Sequence, residues 1–224
     1  MTTPVLEAVQ RVSFCRELAD ETVAALGRSA RLVKHAAGAS ILLQGDPAET
    51  MYIVVSGRVK VCRASARGRE QVLHTAGPGE HFNLVPMFEG GDCPASVEAV
   101  TDVTLLAIRR ERLHALIRRH PDLALALLRE LATYLRRMVD LVDDLALRTV
   151  QGRLAGLLLA LAEAAERGEA APPLTQAEMA ARLGTVREVV SRTLRSLEAL
   201  GLVSVERGEI KVLDREGLAA LRET

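Results

Sequence analysis

The hydrophobic period of this chain changes near Ile108, and that change narrows its possible folds more than any other feature. From about Ser40 to Ile108 the residues fall into short β-prone runs, SILLQ, MYIVVSGRVKVCR, QVLHT and SVEAVTDVTLLAI, cut by glycine-bearing turns such as GDPAE. Runs punctuated in this way predict a β-sandwich or barrel. Beyond Ile108 apolar residues recur at helical spacing, and upstream Val5 to Arg31 also reads as helix. A chain of 224 residues has room for two domains with separate cores. The expected fold class is therefore α+β.

In the helical half, RERLHALIRRH reads as a short helix, and Pro121 suits the first turn of a long one that runs to about Leu147. Along it Leu127, Leu131, Tyr134, Met138, Leu141 and Leu145 are spaced 4, 3, 4, 3, 4, an a/d seam that predicts a dimer interface. Leu128, Leu135 and Val142 lie seven apart on a neighbouring face, available to pack on the chain's own β domain. A second amphipathic helix carries Val150, Leu154, Leu157, Leu158 and Leu161, and it stops at RGEAAPP because Pro172-Pro173 cannot continue a helix.

The remaining segment, LTQAEMAARLGTVREVVSRTLRSLEALGLVSVERGEIKVL, carries the densest signals. Thr175 with Glu178 and Thr185 with Glu188 each match a T-x-x-E capping box, marking two helix starts ten residues apart with Gly184 between them. Helix, tight turn and helix is the helix-turn-helix pattern, and GLVSVERGEIKVL reads as a hairpin wing turning at Arg207-Gly208. On the second helix Val190, Leu194 and Leu197 share one side, while Arg187, Glu188, Ser191, Arg192 and Arg195 share the other. Arginine bridges guanine O6 and N7, glutamate accepts from cytosine N4, and serine serves several bases, so these types suit major-groove readout. Thr175 and Thr185, at the helix starts, complete the candidate DNA-contacting set. A Glu188–Arg192 i,i+4 pair would make the same face merely solvated.

Composition constrains the partner. Formal net charge is zero, so attraction to nucleic acid must come from a local group of arginines. Two Tyr, three Phe and no Trp cannot furnish the stacking platforms of single-strand and RNA binders, which leaves duplex DNA. The three cysteines, Cys15, Cys62 and Cys93, have no metal-ligand spacing, so no metal is expected. No P-loop, zinc-protease or G-x-S-x-G motif is present, so no enzyme is expected. Without a basic-then-apolar leader or a membrane-length apolar run, the reading is cytoplasmic with no membrane association.

Taken in order, GDPAETMYIVVSGRVKV, GEHFNLVPMFEGGDCPASVEAV, the long helix and GTVREVVSRTLRSLEALGLV resemble the CRP/FNR family of transcription regulators over nearly the whole length. The resemblance implies an N-terminal double-stranded β-helix (jelly-roll-like) sensor over 1–110, dimerisation helices over 111–148 and a winged helix-turn-helix over 149–224. It implies a homodimer on palindromic sites and RNA polymerase as a partner. Glu188, Ser191 and Arg192 match the E-x-x-S-R pattern tied to TTGA-type half-sites, and Arg187 matches the R-E start of CRP. The effector pocket would fall at His81, Asn83, Leu84, Pro94, Ala95, Met138 and Val139. Where cyclic-AMP binders carry Gly-Glu and Arg-Ser pairs, this chain has Asn83-Leu84 and Pro94-Ala95. The phosphate-neutralising arginine and ribose-binding carboxylate are missing, so the expected effector is something other than cyclic AMP, or none. FNR's N-terminal cysteine cluster is absent too, which argues against an iron–sulfur cluster. Haem stays open, with nitric oxide or carbon monoxide as the signal, on His81, scattered His35, His74, His114 and His120, and the C-terminal GEIKVLDREGL.

Overall fold

The computed structural model describes residues 3–65, 70–168, 174–206 and 209–222. It divides into two compact units, Met1–Arg63 with Leu73–Met138, and Ala64–Val72 with Val139–Thr224. The Arg207-Gly208 turn and Pro172-Pro173 lie outside the described residues.

The first unit opens with α1 (Thr3–Gln10) and α2 (Asp20–Ser29), followed by β1 (Arg31–His35), β2 (Ser40–Leu42), β3 (Thr50–Ser56), β4 (Val59–Ala64), β5 (Glu70–Ala76) and β6 (His81–Phe82). Then come α3 (Val85–Glu89), β7 (Ser96–Ala99), β8 (Val103–Arg109), α4 (Arg110–Arg119) and α5 (Pro121–Leu147), whose residues from Val139 on belong to the second unit. The strands form two four-stranded sheets, ordered β1-β8-β3-β6 and β2-β7-β4-β5. Pairing is antiparallel for β1 with β8, β3 with β8 and β6, and β7 with β2 and β4.

Inward side chains of both sheets, among them Val54, Val61, Phe82, Val97 and Leu105, fill the space between them. The opposite faces of β3 and β8 bury Met51, Ile53, Leu106 and Ile108 against α1, α2, α4 and the start of α5. Burial on both faces explains why TLLAI reads as a continuous apolar run. The β3–β4 turn requires Gly57, whose φ is +82° and where a Cβ would fall 2.2 Å from the Asp102 carbonyl oxygen. The helix expected over Val5 to Arg31 is broken: Arg11 to Ala19 leaves the α-helical path, and Arg31 begins β1. RLVKH is exposed or half-buried throughout, along an edge strand, a pattern too polar to announce itself as β.

The second unit holds α6 (Val150–Glu166), α7 (Gln176–Leu183), α8 (Arg187–Ala199), β9 (Val203–Glu206), β10 (Glu209–Val212) and α9 (Arg215–Arg222). Leu154, Leu158, Met179, Leu183, Val190, Leu194, Leu197 and Leu218 share its core. The sequence reading has no counterpart to α9, an eight-residue helix lying on α6. Its path depends on Gly152, where a Cβ would meet the Leu221 carbonyl oxygen at 2.8 Å. Among the described residues no helix is long and apolar enough to cross a membrane.

Candidate nucleic-acid interface and effector cavity

Helix α7 starts as expected. The Thr175 side chain accepts from the Glu178 backbone N–H at 3.2 Å, and the Glu178 carboxylate accepts from the Thr175 N–H at 2.7 Å, closing the capping box. Gly184 ends the helix in the left-handed region, at φ 64°. The second expected box does not form. The Thr185 N–H is still bonded to the Ala180 carbonyl at 3.0 Å, finishing α7, so the next helix starts from Val186, which makes no side-chain cap. Thr185 is therefore not a cap, and the Glu188 carboxylate is not tied back to it.

That leaves Glu188 on the open side of α8. Val190, Leu194 and Leu197 are fully or almost fully buried, whereas Arg187, Glu188, Arg192 and Arg195 are exposed and Ser191 is half-buried. Among the described residues no ion pair holds Arg187, Glu188 or Arg192; the Glu188–Arg192 pair that would have made this a solvated face is not formed. Arg195 folds back, its Nε donating to the Ser191 carbonyl at 3.4 Å. The face thus offers three guanidinium groups and one carboxylate, a local positive excess on a chain with no net charge. Beside it the wing pairs Ile210 with Val205 and Val212 with Val203.

A cavity of about 320 Å³ lies within the first unit, walled by both sheets, α3 and α5. Of the expected effector residues, His81, Asn83, Leu84, Pro94, Ala95 and Met138 line it together. Val139 does not: it is 60% exposed, rotated to the other side of α5. The sequence reading missed His74 and Tyr134 as pocket residues, although both line this cavity with Leu131, their rings edge to face at 5.7 Å. Asn83 occupies the left-handed region, φ 60°, and its Nδ2 donates to the Thr50 carbonyl at 2.9 Å. Leu84, Pro94 and Ala95 present hydrocarbon to the cavity, and among the described residues the only guanidinium in its lining belongs to exposed Arg63.

Behind this wall His81 Nε2 is 3.1 Å from Glu130, which also accepts from the Ser13 hydroxyl at 3.0 Å. Those two hydrogen bonds, His81 first, hold the Glu130 carboxyl below the usual carboxylate range against the opposing effect of burial. Burial, helped by the nearby Arg137 charge, pushes the His74 imidazole down to about 4. His74 Nδ1 and His81 Nδ1 are both buried, with no hydrogen-bond partner among the described residues.

The a/d seam expected to join two chains is in large part used within one. Leu127 is fully buried in the first unit's core, Leu131 packs against that core, and Tyr134 and Met138 close the cavity. Leu141 and Leu145 border a cleft with α6 in the second unit. The reason is geometric: a heptad stripe reports that a face is buried, not which neighbour buries it. The neighbouring face is the open one, with Leu128, Leu135, Val139 and Val142 all about 60% exposed.

A winged helix-turn-helix with an open arginine face, on a chain that also carries a β-roll with an internal cavity, defines a DNA-binding transcription regulator. Residues 32–120 match the cyclic nucleotide-binding domain model, and residues 152–221 match the Crp-like helix-turn-helix domain. The chain is 31% identical over 218 residues to the CRP-like cAMP-activated global transcriptional regulator of Mycobacterium tuberculosis, covering 95% of this chain and 97% of the relative. It is 38% identical over 178 residues to the cyclic AMP receptor protein of Thermus thermophilus, covering 78% and 80%. A CRP/FNR family transcriptional regulator from Thermus thermophilus superposes with a TM-score of 0.70 at 28% identity, covering 87% and 99%. The chain belongs to the CRP/FNR family, whose members regulate transcription and are not enzymes.

Proposed function

We propose that this regulator binds palindromic TTGA-type sites as a homodimer, in the cytoplasm alongside RNA polymerase. The observation that carries the base-readout part is the exposed α8 face, where Arg187, Glu188 and Arg192 make no ion pair among the described residues and Ser191 lies beside them. A carboxylate and two unengaged guanidinium groups on one helix face suit a cytosine donor and guanine acceptors in the major groove. Two such helices fit half-sites about one helical turn, roughly 34 Å, apart. Arg192→Ala should weaken specific binding by about 1–3 kcal/mol. Fluorescence anisotropy on a TTGA palindrome and on a scrambled duplex checks this; unchanged discrimination between the two would remove Arg192 from base readout.

The dimer seam we assign to the open face of α5, where Leu128, Ala132, Leu135, Val139 and Val142 follow a 4, 3, 4, 3 spacing and are all exposed. For the effector, the relatives named above are activated by, or are receptors for, cyclic AMP. This chain differs at the cavity wall. Leu84, Pro94 and Ala95 neutralise no phosphate and bond no ribose, so the effector is something other than cyclic AMP. Added cyclic AMP should leave the anisotropy titration superimposable on that without it.

A further inference from the structure

We infer that the first unit's cavity takes a small, uncharged, largely apolar molecule bearing a hydroxyl group, bonded to the ring nitrogens of His74 and His81. This rests on the reading of that cavity as the effector site and names the chemistry the site would recognise. Its volume, about 320 Å³, is at the lower end of the roughly 300–1,000 Å³ usual for small-molecule sites. Most of its wall is hydrocarbon, including Phe82, Leu84, Pro94 and Met138.

Two imidazole rings interrupt that wall, beside the Tyr134 phenol and the Asn83 amide, and each carries a buried nitrogen with no partner among the described residues. Groups in that condition normally find a ligand, an ion or a water. The hydrogen-bond logic then fixes the ligand's polar group. Glu130 is ionised, so the 3.1 Å contact is His81 Nε2–H donating to the carboxylate, which leaves Nδ1 as the ring's open position. The neutral His74 ring presents one donor and one acceptor nitrogen. A hydroxyl both donates and accepts, so it can serve either ring.

Charge is disfavoured on either side. An anion would lie next to the Glu130 carboxylate behind His81 and near Glu80, whose charge also acts on His74. Arg137, whose charge acts on His74, stands 3.9 Å from Glu80, and Arg63 is exposed. A cation would meet the Arg137 field and an otherwise apolar wall.

The test uses the full-length protein in isothermal titration calorimetry and thermal-shift assays. The probes are 4-ethylphenol, its isostere ethylbenzene, cyclic AMP, octanoate and haemin. We expect 4-ethylphenol to bind at one site per chain at least about tenfold more tightly than ethylbenzene, since a site built to bond a hydroxyl rejects the analogue lacking it. His81→Phe should abolish that preference while still binding ethylbenzene. Ala95→Phe, which fills the cavity from a different wall, should abolish both and serves where the histidine variant fails to fold. Equal binding of phenol and hydrocarbon, tighter binding of cyclic AMP or octanoate, a haemin complex with a Soret band lost in His81→Phe, or no binding by any probe would each overturn the inference. DNA binding is measured separately on the TTGA palindrome, so a failed regulator reading and a failed ligand reading give different results.

Discussion

Asn83 shows how one residue adapts a shared backbone to a different wall. Its φ of 60° lies in the left-handed region, which costs most side chains about 1–2 kcal/mol, and asparagine tolerates it through local hydrogen bonding. Here the amide donates to the Thr50 carbonyl, fastening the cassette to β3. Asn83→Gly should leave the urea midpoint nearly unchanged, whereas Asn83→Val should destabilise the fold by about 2 kcal/mol through the backbone penalty plus the lost bond. His74 sets a second expectation at this scale. Its folded pKa, about 4, lies below the ordinary 6.5, so above pH 6.5 both states are neutral and carry no penalty. As pH falls from 6.5 toward 4 the unfolded chain takes up the proton first, and stability declines by on the order of 2 kcal/mol. Urea denaturation of wild type and His74→Leu over that window checks it; parallel profiles would show that another group carries the pH dependence. Neither residue's role was legible in the sequence: QVLHT shows His74 in a strand, but only the fold brings it opposite Tyr134.

Among the elements, α9 is the one the sequence most concealed. DREGLAALR is short and charged, and the signal that fixes it sits some sixty residues earlier, in the Gly152 and Gly156 of α6. Each lies against α9, Gly152 at the Leu221 carbonyl and Gly156 at the Arg222 side chain. Gly152→Ala places a methyl 2.8 Å from that carbonyl oxygen and should cost about 1–3 kcal/mol as α9 shifts, despite alanine's better helix propensity. A rise in the melting temperature would show that the contact relaxes freely. The capping boxes make the complementary point. The same T-x-x-E letters closed a box at Thr175 and failed at Thr185, because there the next helix starts one residue later, from Val186, while the threonine N–H is engaged by Ala180 in ending α7.

For the molecule as a whole, the proposed homodimer turns on which stripe of α5 is open to a second copy. Burying Leu128, Leu135, Val139 and Val142 on a second copy would remove an exposed apolar stripe of the kind that marks an interaction surface. If the proposed dimer forms on this stripe, Leu135→Glu with Val142→Glu should convert it to monomer in sedimentation velocity and abolish tight palindrome binding. Leu127→Ala, by contrast, should lower stability by about 2–5 kcal/mol as a core cavity. A double variant that still sediments as a dimer would return the interface to another face. The sequence by itself determined the α+β class, the strand-to-helix switch near Ile108, the span of α5, and the buried and polar faces of α8. These follow from local period and chemistry, which any short window carries. Tertiary structure alone decided which α5 stripe the β-roll occupies, that His74, His81 and Tyr134 share one cavity, and that Thr185 does not cap. Each of these depends on what a residue meets across the fold, and periodicity records only that a face is buried.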